Sequence, residues 1–294
     1  MTRATYDLHL HTCWSYDALI DPARYFAAAR EQGVGTIAIT DHHGFDALPE
    51  LTAAAPAWPD IRYIRAAELT VTTTLGPVDL VCLGVPDPLP AVLNSVRDRY
   101  RAWQCEFGAA NCRGMQKLGF DFTIGHWHGL LASYRPARVT AVQGHTRVRN
   151  EILRGYFVSR GFIREERECE GLLTRLAAIE PHPPYPAAAD IIPAVKAAGV
   201  LISIAHPAGY FAGADEVRMD ALRAECALDG IECAHASVRP AFTPVYRAYC
   251  LRHGLVSTAG GDVHEEKDLT TRFARHGGAA EWLDEVLARL NNKK

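Results

Sequence analysis

Polar and apolar positions alternate strictly at the start of the chain. In YDLHLH, Tyr6, Leu8 and Leu10 fall on one face of an extended segment, and Asp7, His9 and His11 on the other. The spacing then turns helical over LIDPARYFAAAREQGVG, with Asp21 as N-cap, Pro22 at the first helical position and Gly33 at the stop. TIAI is an apolar run ending in Thr40, Asp41 and His42, and DALPELTAAAP is a short helix. IRYIRAAELTV reads as a third strand ending near Glu68, and TVTTTLGPVDLVCLGV as a hairpin turning at Gly76–Pro77.

From about Pro86 the period changes. AVLNSVRDRYRAWQCEFGAANCRGMQKLG and RVRNEILRGYFVSRG are amphipathic helical stretches, and the proline cluster at 181–186 closes this section. Within it GHWHG repeats the HxH spacing, at His126 and His128, and reads as a wet loop anchored by Trp127; His145 reads as a surface histidine. Strand–helix alternation then resumes through LISIAHP, GIECAH and LVSTAGGDVH, and EWLDEVLARLNN closes as an amphipathic helix. Repeated units of this kind predict an α/β fold, a (β/α) barrel whose chemistry gathers at the C-terminal ends of the strands. The predicted division is a barrel of residues 1–86 and 187–294, with residues 87–186 as a mainly helical insertion, or cap.

Composition narrows the partners. A net charge of -3 over 294 residues gives no electrostatic case for a stable nucleic-acid partner or a bilayer surface. No apolar run approaches the roughly 18 residues of a membrane span, and the start shows no secretory leader. The eight cysteines form no CxxC pair, which fits buried thiols in a cytoplasmic protein better than a disulfide framework. The expected partner is a small molecule; the oligomeric state is left open.

The candidate chemistry sits where the strands end: His9 and His11, Asp41 and His42, Glu68, His206, His235, and Asp262 with His264. One wet strand end needs no explanation, since polar residues collect there. Six in one chain, brought into a ring by a barrel, form a coordination site. Mixed nitrogen and oxygen donors suit Zn, Mn or Fe. The donors are too many for one ion, so two or three divalent cations are expected, with Glu68 placed to bridge. Asp7 and Asp41 are expected to orient the imidazoles.

YDLHLHTCWSYDA, AITDHHG, AAELTV, SIAHPAG and AGGDVHEEK resemble, in order, the signatures of the PHP (polymerase and histidinol phosphatase) superfamily. More closely they resemble its stand-alone phosphoesterases, which act on nucleotides or small phosphate monoesters. The resemblance implies a distorted (β/α)7 TIM-like barrel with up to three metal ions. Carried over by position, it implies one site of His9, His11, Glu68 and Asp262, a second of Glu68 and His206, and a third of Asp17, His42 and His264. Where the family often has a histidine after its third motif, this chain has Asp79, a further candidate ligand.

The implied reaction is hydrolysis of a nucleotide-type phosphate monoester by a metal-bound hydroxide. His235 is the candidate acid for the leaving oxygen, with Asp262 also in the catalytic set. Arg147, Arg149 and Arg239 are the candidate phosphate ligands. Two alternatives stay open: a phosphodiesterase or 5'-3' exonuclease on short oligonucleotides, and an amidohydrolase-like C–N hydrolase, whose barrels also open with HxH.

Overall fold

The computed structural model describes residues 3–292, which divide into two units, 3–97 with 185–292, and 98–184. The first unit holds seven strands in sequence order around a nearly closed barrel: β1 (Tyr6–Leu10), β2 (Thr36–Ile39), β3 (Arg62–Thr73), β4 (Gly76–Leu83), β5 (Leu201–Ile204), β6 (Gly230–His235) and β7 (Val256–Gly260). All neighbours are parallel except β4, which runs antiparallel to both β3 and β5. The strands are almost wholly buried, as expected where helices cover a parallel sheet.

Helices α1 (Pro22–Gln32), α2 (Leu48–Ala54), α8 (Ala188–Ala197), α9 (Glu216–Glu225), α10 (Thr243–His253), α11 (Asp268–Thr271) and α12 (Ala280–Asn291) belong to this unit, as does the start of α3 (Ala91–Lys117). α1 shows why the local pattern was readable. The Asp21 carboxylate accepts from the Ala23 N–H, Pro22 occupies the first turn, and Gly33 takes the left-handed φ of 70° that ends the helix. The hairpin differs from expectation. β3 continues past Glu68 to Thr73, and the turn lies at Thr74–Leu75, because Thr73 pairs with Gly76 and Thr72 with Pro77.

The seam between β7 and β1 closes through few but specific contacts. Leu10 bridges Val263, and the Asp262 N–H donates to the His9 carbonyl at 2.8 Å. Asp7, fully buried, accepts from the N–H groups of His9, Gly261 and Ala274. It therefore holds the His9 backbone and the seam rather than an imidazole. Gly260 and Gly261 allow the close approach: a Cβ on Gly260 would lie 2.1 Å from the His9 Cβ.

The second unit comprises the rest of α3 with α4 (Ile124–Ala132), α5 (Ala137–Gln143), α6 (Asn150–Ser159) and α7 (Cys169–Ile179). Its core gathers Met115, Phe122, Trp127, Leu153, Phe157 and Leu176. GHWHG is part of α4 rather than a loop. Thr123 caps the helix, and the His126 ring returns the bond by accepting the Thr123 N–H, the role a glutamate usually fills in a capping box. Trp127 is buried, with its indole N–H on the Thr146 carbonyl. The cysteines are buried thiols apart from the half-buried Cys105. Among the described residues no helix is long and apolar enough to cross a membrane.

Candidate metal centre

The barrel brings donors from six strand ends to one place. His9 Nε2 and His11 Nε2 each lie 3.4 Å from an oxygen of Glu68, and His206 Nε2 lies 3.3 Å from Glu68 Oε1. Asp262 Oδ1 is 3.3 Å from His11 Nε2. Asp17 spans His42 Nε2 at 3.6 Å and His264 Nε2 at 3.7 Å. Two donors about 2.1 Å from one ion at the tetrahedral angle sit about 3.4 Å apart, so these separations match the edges of coordination polyhedra. They are too long for good hydrogen bonds.

The buried atoms agree. His9 Nε2, His11 Nε2, Asp17 Oδ1, His42 Nδ1, both oxygens of Glu68 and His235 Nε2 are inaccessible and have no hydrogen-bond partner among the described residues. His42 Nδ1 lies 3.0 Å from Glu68 Oε2, but out of line for a bond. Burying so many unpaired polar atoms costs about 1–3 kcal/mol each unless something else satisfies them. The donor set of imidazoles and carboxylates fits divalent cations.

Hydrogen bonds on the far side of each ring set which nitrogen is bare. In the neutral ring His9 Nδ1 donates to Glu232 Oε1 at 3.0 Å, leaving Nε2 with its lone pair; burial opposes a second proton, but Glu232 and Glu68 raise the ring well above the usual range, so a cation must displace that proton. Ser15 spends its own proton on Asp41, so its hydroxyl oxygen accepts from His11 Nδ1 and His11 Nε2 is bare too. His264 Nδ1 donates to the Asp262 carbonyl, again freeing Nε2. His235 is the opposite case. Its Nδ1 accepts the Ser237 N–H at 3.0 Å, so Nε2 carries the proton, 3.4 Å from Asp262 Oδ2. Three histidines are thus prepared as ligands and one as a proton donor.

Charge follows the same geometry. Burial would push the Glu68 carboxyl up, but the imidazoles of His9 and His42 outweigh it and hold it well below the usual range. Burial likewise opposes the Asp262 charge, and His11 and His235 overcome it. Burial, with His42 and His264 alongside, pushes His11 down to about 3, so this ligand is neutral at pH 7. His206 goes the other way. Burial disfavours its charge, yet the Glu68 carboxylate 3.3 Å away raises it to about 9.

Other candidates sit differently. Asp79 lies 3.7 Å from His206 Nε2, but its oxygens already accept from the Thr70 and Tyr210 hydroxyls. Asp41 reaches His11 only through Ser15. Arg147 lies over the Phe107 ring at 5.0 Å and Arg149 pairs with Glu151, both in the second unit. Arg239 is exposed in the segment after β6.

Sequence reasoning missed two residues. Arg272, at the end of α11, stands 3.6 Å from Asp262 Oδ2. Glu232 lies against His9 and His206. The one signal for Glu232 was a carboxylate inside the otherwise apolar GIECAH run. Backbone strain also collects here: His43, His206 and Asp262 adopt φ values of 59°, 27° and 51° without being glycine.

The family model described as the PHP domain matches residues 7–204. A Bifidobacterium adolescentis protein, named as a predicted metal-dependent phosphoesterase, has a similar structure: TM-score 0.72, 23% identity, covering 97% of this chain and 96% of that one. An amidohydrolase of Chromobacterium violaceum, solved with bound sulfate and no metal, gives TM-score 0.72 at 21% identity, covering 97% of each chain. At these identities both show the shared fold. No curated protein matches the chain.

Proposed function

The chain belongs to the PHP domain family, and from that premise we propose that it hydrolyses phosphoric esters with divalent cations held by its strand-end imidazoles and carboxylates. The observation that carries this reading is the set of buried, unpaired donor atoms spaced as ligands around common centres. His9, His11, Glu68 and Asp262 would hold one ion; Glu68 and His206 a second; Asp17, His42 and His264 a third. Two or three ions of Mn, Zn or Fe suit these donors. Such cations, when bound, supply an ionised water at neutral pH and neutralise phosphoryl charge.

The chain's own groups supply the rest. His235 presents Nε2–H within the ring of donors, 3.4 Å from Asp262 Oδ2; as imidazolium, with its Nδ1–H turned to the Ser237 hydroxyl, it is placed to protonate a departing alkoxide. Arg272 offers a guanidinium beside Asp262 for a phosphoryl oxygen. The substrate we favour is a small phosphate monoester of nucleotide type. Residues 98–184 carry thirteen Arg and Lys against nine Asp and Glu, an excess that suits an anionic ligand. Arg149 and Arg239 remain further candidates for phosphate.

The test is metal analysis of the purified protein, then a phosphoester panel with each of Mn, Zn and Fe restored. Phosphate release from monoesters, dependent on added metal, is the expected result. Absence of release with every metal, or cleavage of C–N bonds alone, overturns the reading; release only from diesters or an RNA ladder overturns the monoester assignment.

A further inference from the structure

Glu232 belongs to none of the ligand sets named above, yet it is almost wholly buried and both its oxygens are engaged. Oε1 accepts from His9 Nδ1 at 3.0 Å, and Oε2 accepts the His206 backbone N–H at 2.7 Å. One side chain on β6 thus ties a ring on β1 to a backbone just beyond β5. The His206 backbone is one of the strained ones, at φ 27°, and a strained conformation persists only where surrounding bonds insist on it.

We propose that Glu232 is a positioning residue of the metal centre: it fixes His9 as the tautomer with a bare Nε2 and pins His206 in place, so that both imidazoles face Glu68. The inference rests on the metal-binding reading above. It distinguishes positioning from ligation, although Glu232 lies close enough to His9 and His235 to form a donor triad with them. The nitrogen of His9 that Glu232 meets is Nδ1, the one turned away from Glu68 and Asp262. Both Glu232 oxygens already receive protons.

Glutamine cannot replace this carboxylate. Glu232 presents two acceptors to two donors, whereas an amide has one oxygen and one NH2. In Glu232→Gln, if the oxygen serves the His206 N–H, the NH2 faces His9 Nδ1, which must then accept. The proton moves to Nε2, and that nitrogen can no longer coordinate. If the amide turns over, its NH2 opposes the His206 N–H and the strained turn loses its acceptor. Size and shape hardly change, so the proton pattern and one buried negative charge are what is altered. In Glu232→Asp the charge stays, but the shorter arm cannot span both partners.

The experiment titrates chelator-stripped protein with Co2+, followed by calorimetry and visible absorption, and records the imidazole 15N shifts. For Glu232→Gln, Co2+ affinity at the tightest site should fall about 10–100-fold, in the range for losing a partner of a ligating histidine. Glu232→Asp should retain part of that affinity. In the wild type, Zn2+-loaded or metal-free at alkaline pH, the His9 signals should show Nδ1–H and unprotonated Nε2. Glu232→Gln should show the reverse in the metal-free protein. Wild-type Co2+ affinity in Glu232→Gln overturns the proposal, as does a wild-type His9 protonated at Nε2. The wild-type spectrum decides even if neither variant folds. A wild type that takes up no cation overturns the metal-binding reading, while the metal-free spectrum still tests the tautomer.

Discussion

Gly260 is the most exacting position in the seam, and Gly260→Ala measures how closely barrel closure and ligand placement are joined. The added methyl would lie 2.1 Å from the His9 Cβ, 2.8 Å from the His9 nitrogen and 2.9 Å from Glu232 Oε1. Carbon atoms pack at about 3.5–4.0 Å, so β7 and β1 must part by roughly 1.5 Å, and two of the three obstacles are fixed to the backbone of β1. Gly260 is not in the left-handed region, so alanine adds no backbone strain and collision alone is at work. Overpacking of this kind costs about 1–3 kcal/mol. For a unit of this size that lowers the melting temperature by roughly 2–12 °C. A shift of about 1 Å in His9 Nε2 also destroys its 3.4 Å spacing to Glu68, so metal uptake should fall together with stability. Thermal melts of metal-free protein and metal content by mass spectrometry read the two effects. As a control, Gly171→Ala in α7, which meets nothing within 4 Å, should stabilise by about 0.5–1 kcal/mol. A Gly260→Ala variant that melts with the wild type and binds the same metal would refute the reasoning.

Glu68→Gln should cost at least one ion and more than about 100-fold in affinity for the rest, since Glu68 stands against His9, His11, His42 and His206; unchanged metal stoichiometry would contradict its bridging place. His235→Gln should leave metal content intact but lower kcat about 10²–10⁴-fold on alkyl phosphates and much less on p-nitrophenyl phosphate, whose leaving group needs no proton; equal losses on both would remove His235 as the acid. His206, held up at about 9 by Glu68 against the effect of burial, must lose a proton to bind metal, so apparent affinity should rise with pH up to about 9 and level off above. By the same linkage the metal-free fold gains stability from His206 that is full below about 6.5 and lost as pH rises towards 9; a metal-free melting temperature that climbs over that interval would count against it.

The donor ring was readable because β1 shows it locally: period two separates His9 and His11 from Leu8 and Leu10, and a barrel does the rest. The turn of the hairpin was misplaced because Gly76 and Pro77 are turn formers that here begin a strand. Glu232 was hidden for a geometric reason. Residues 232 and 235 have opposite parity and should face opposite sides, but the β6–β7 register shifts between Glu232 and Ala234, which lets both point inward. Arg272 was hidden because it is near Asp262 only through the fold of the segment around α11. Asp79 occupies a ligand's place in the order of motifs, while its neighbours Thr70 and Tyr210 are what the sequence order cannot reveal.

Asp7 opens the motif that first draws the eye, yet it donates nothing to the ring of ligands. It splices the first strand to the last, and through three amide protons it does for this barrel what a clasp does for a bracelet. A lesion there releases the circle itself rather than slowing the chemistry inside it. Inside a cell such a variant would register as missing protein, cleared before it could be tested for turnover.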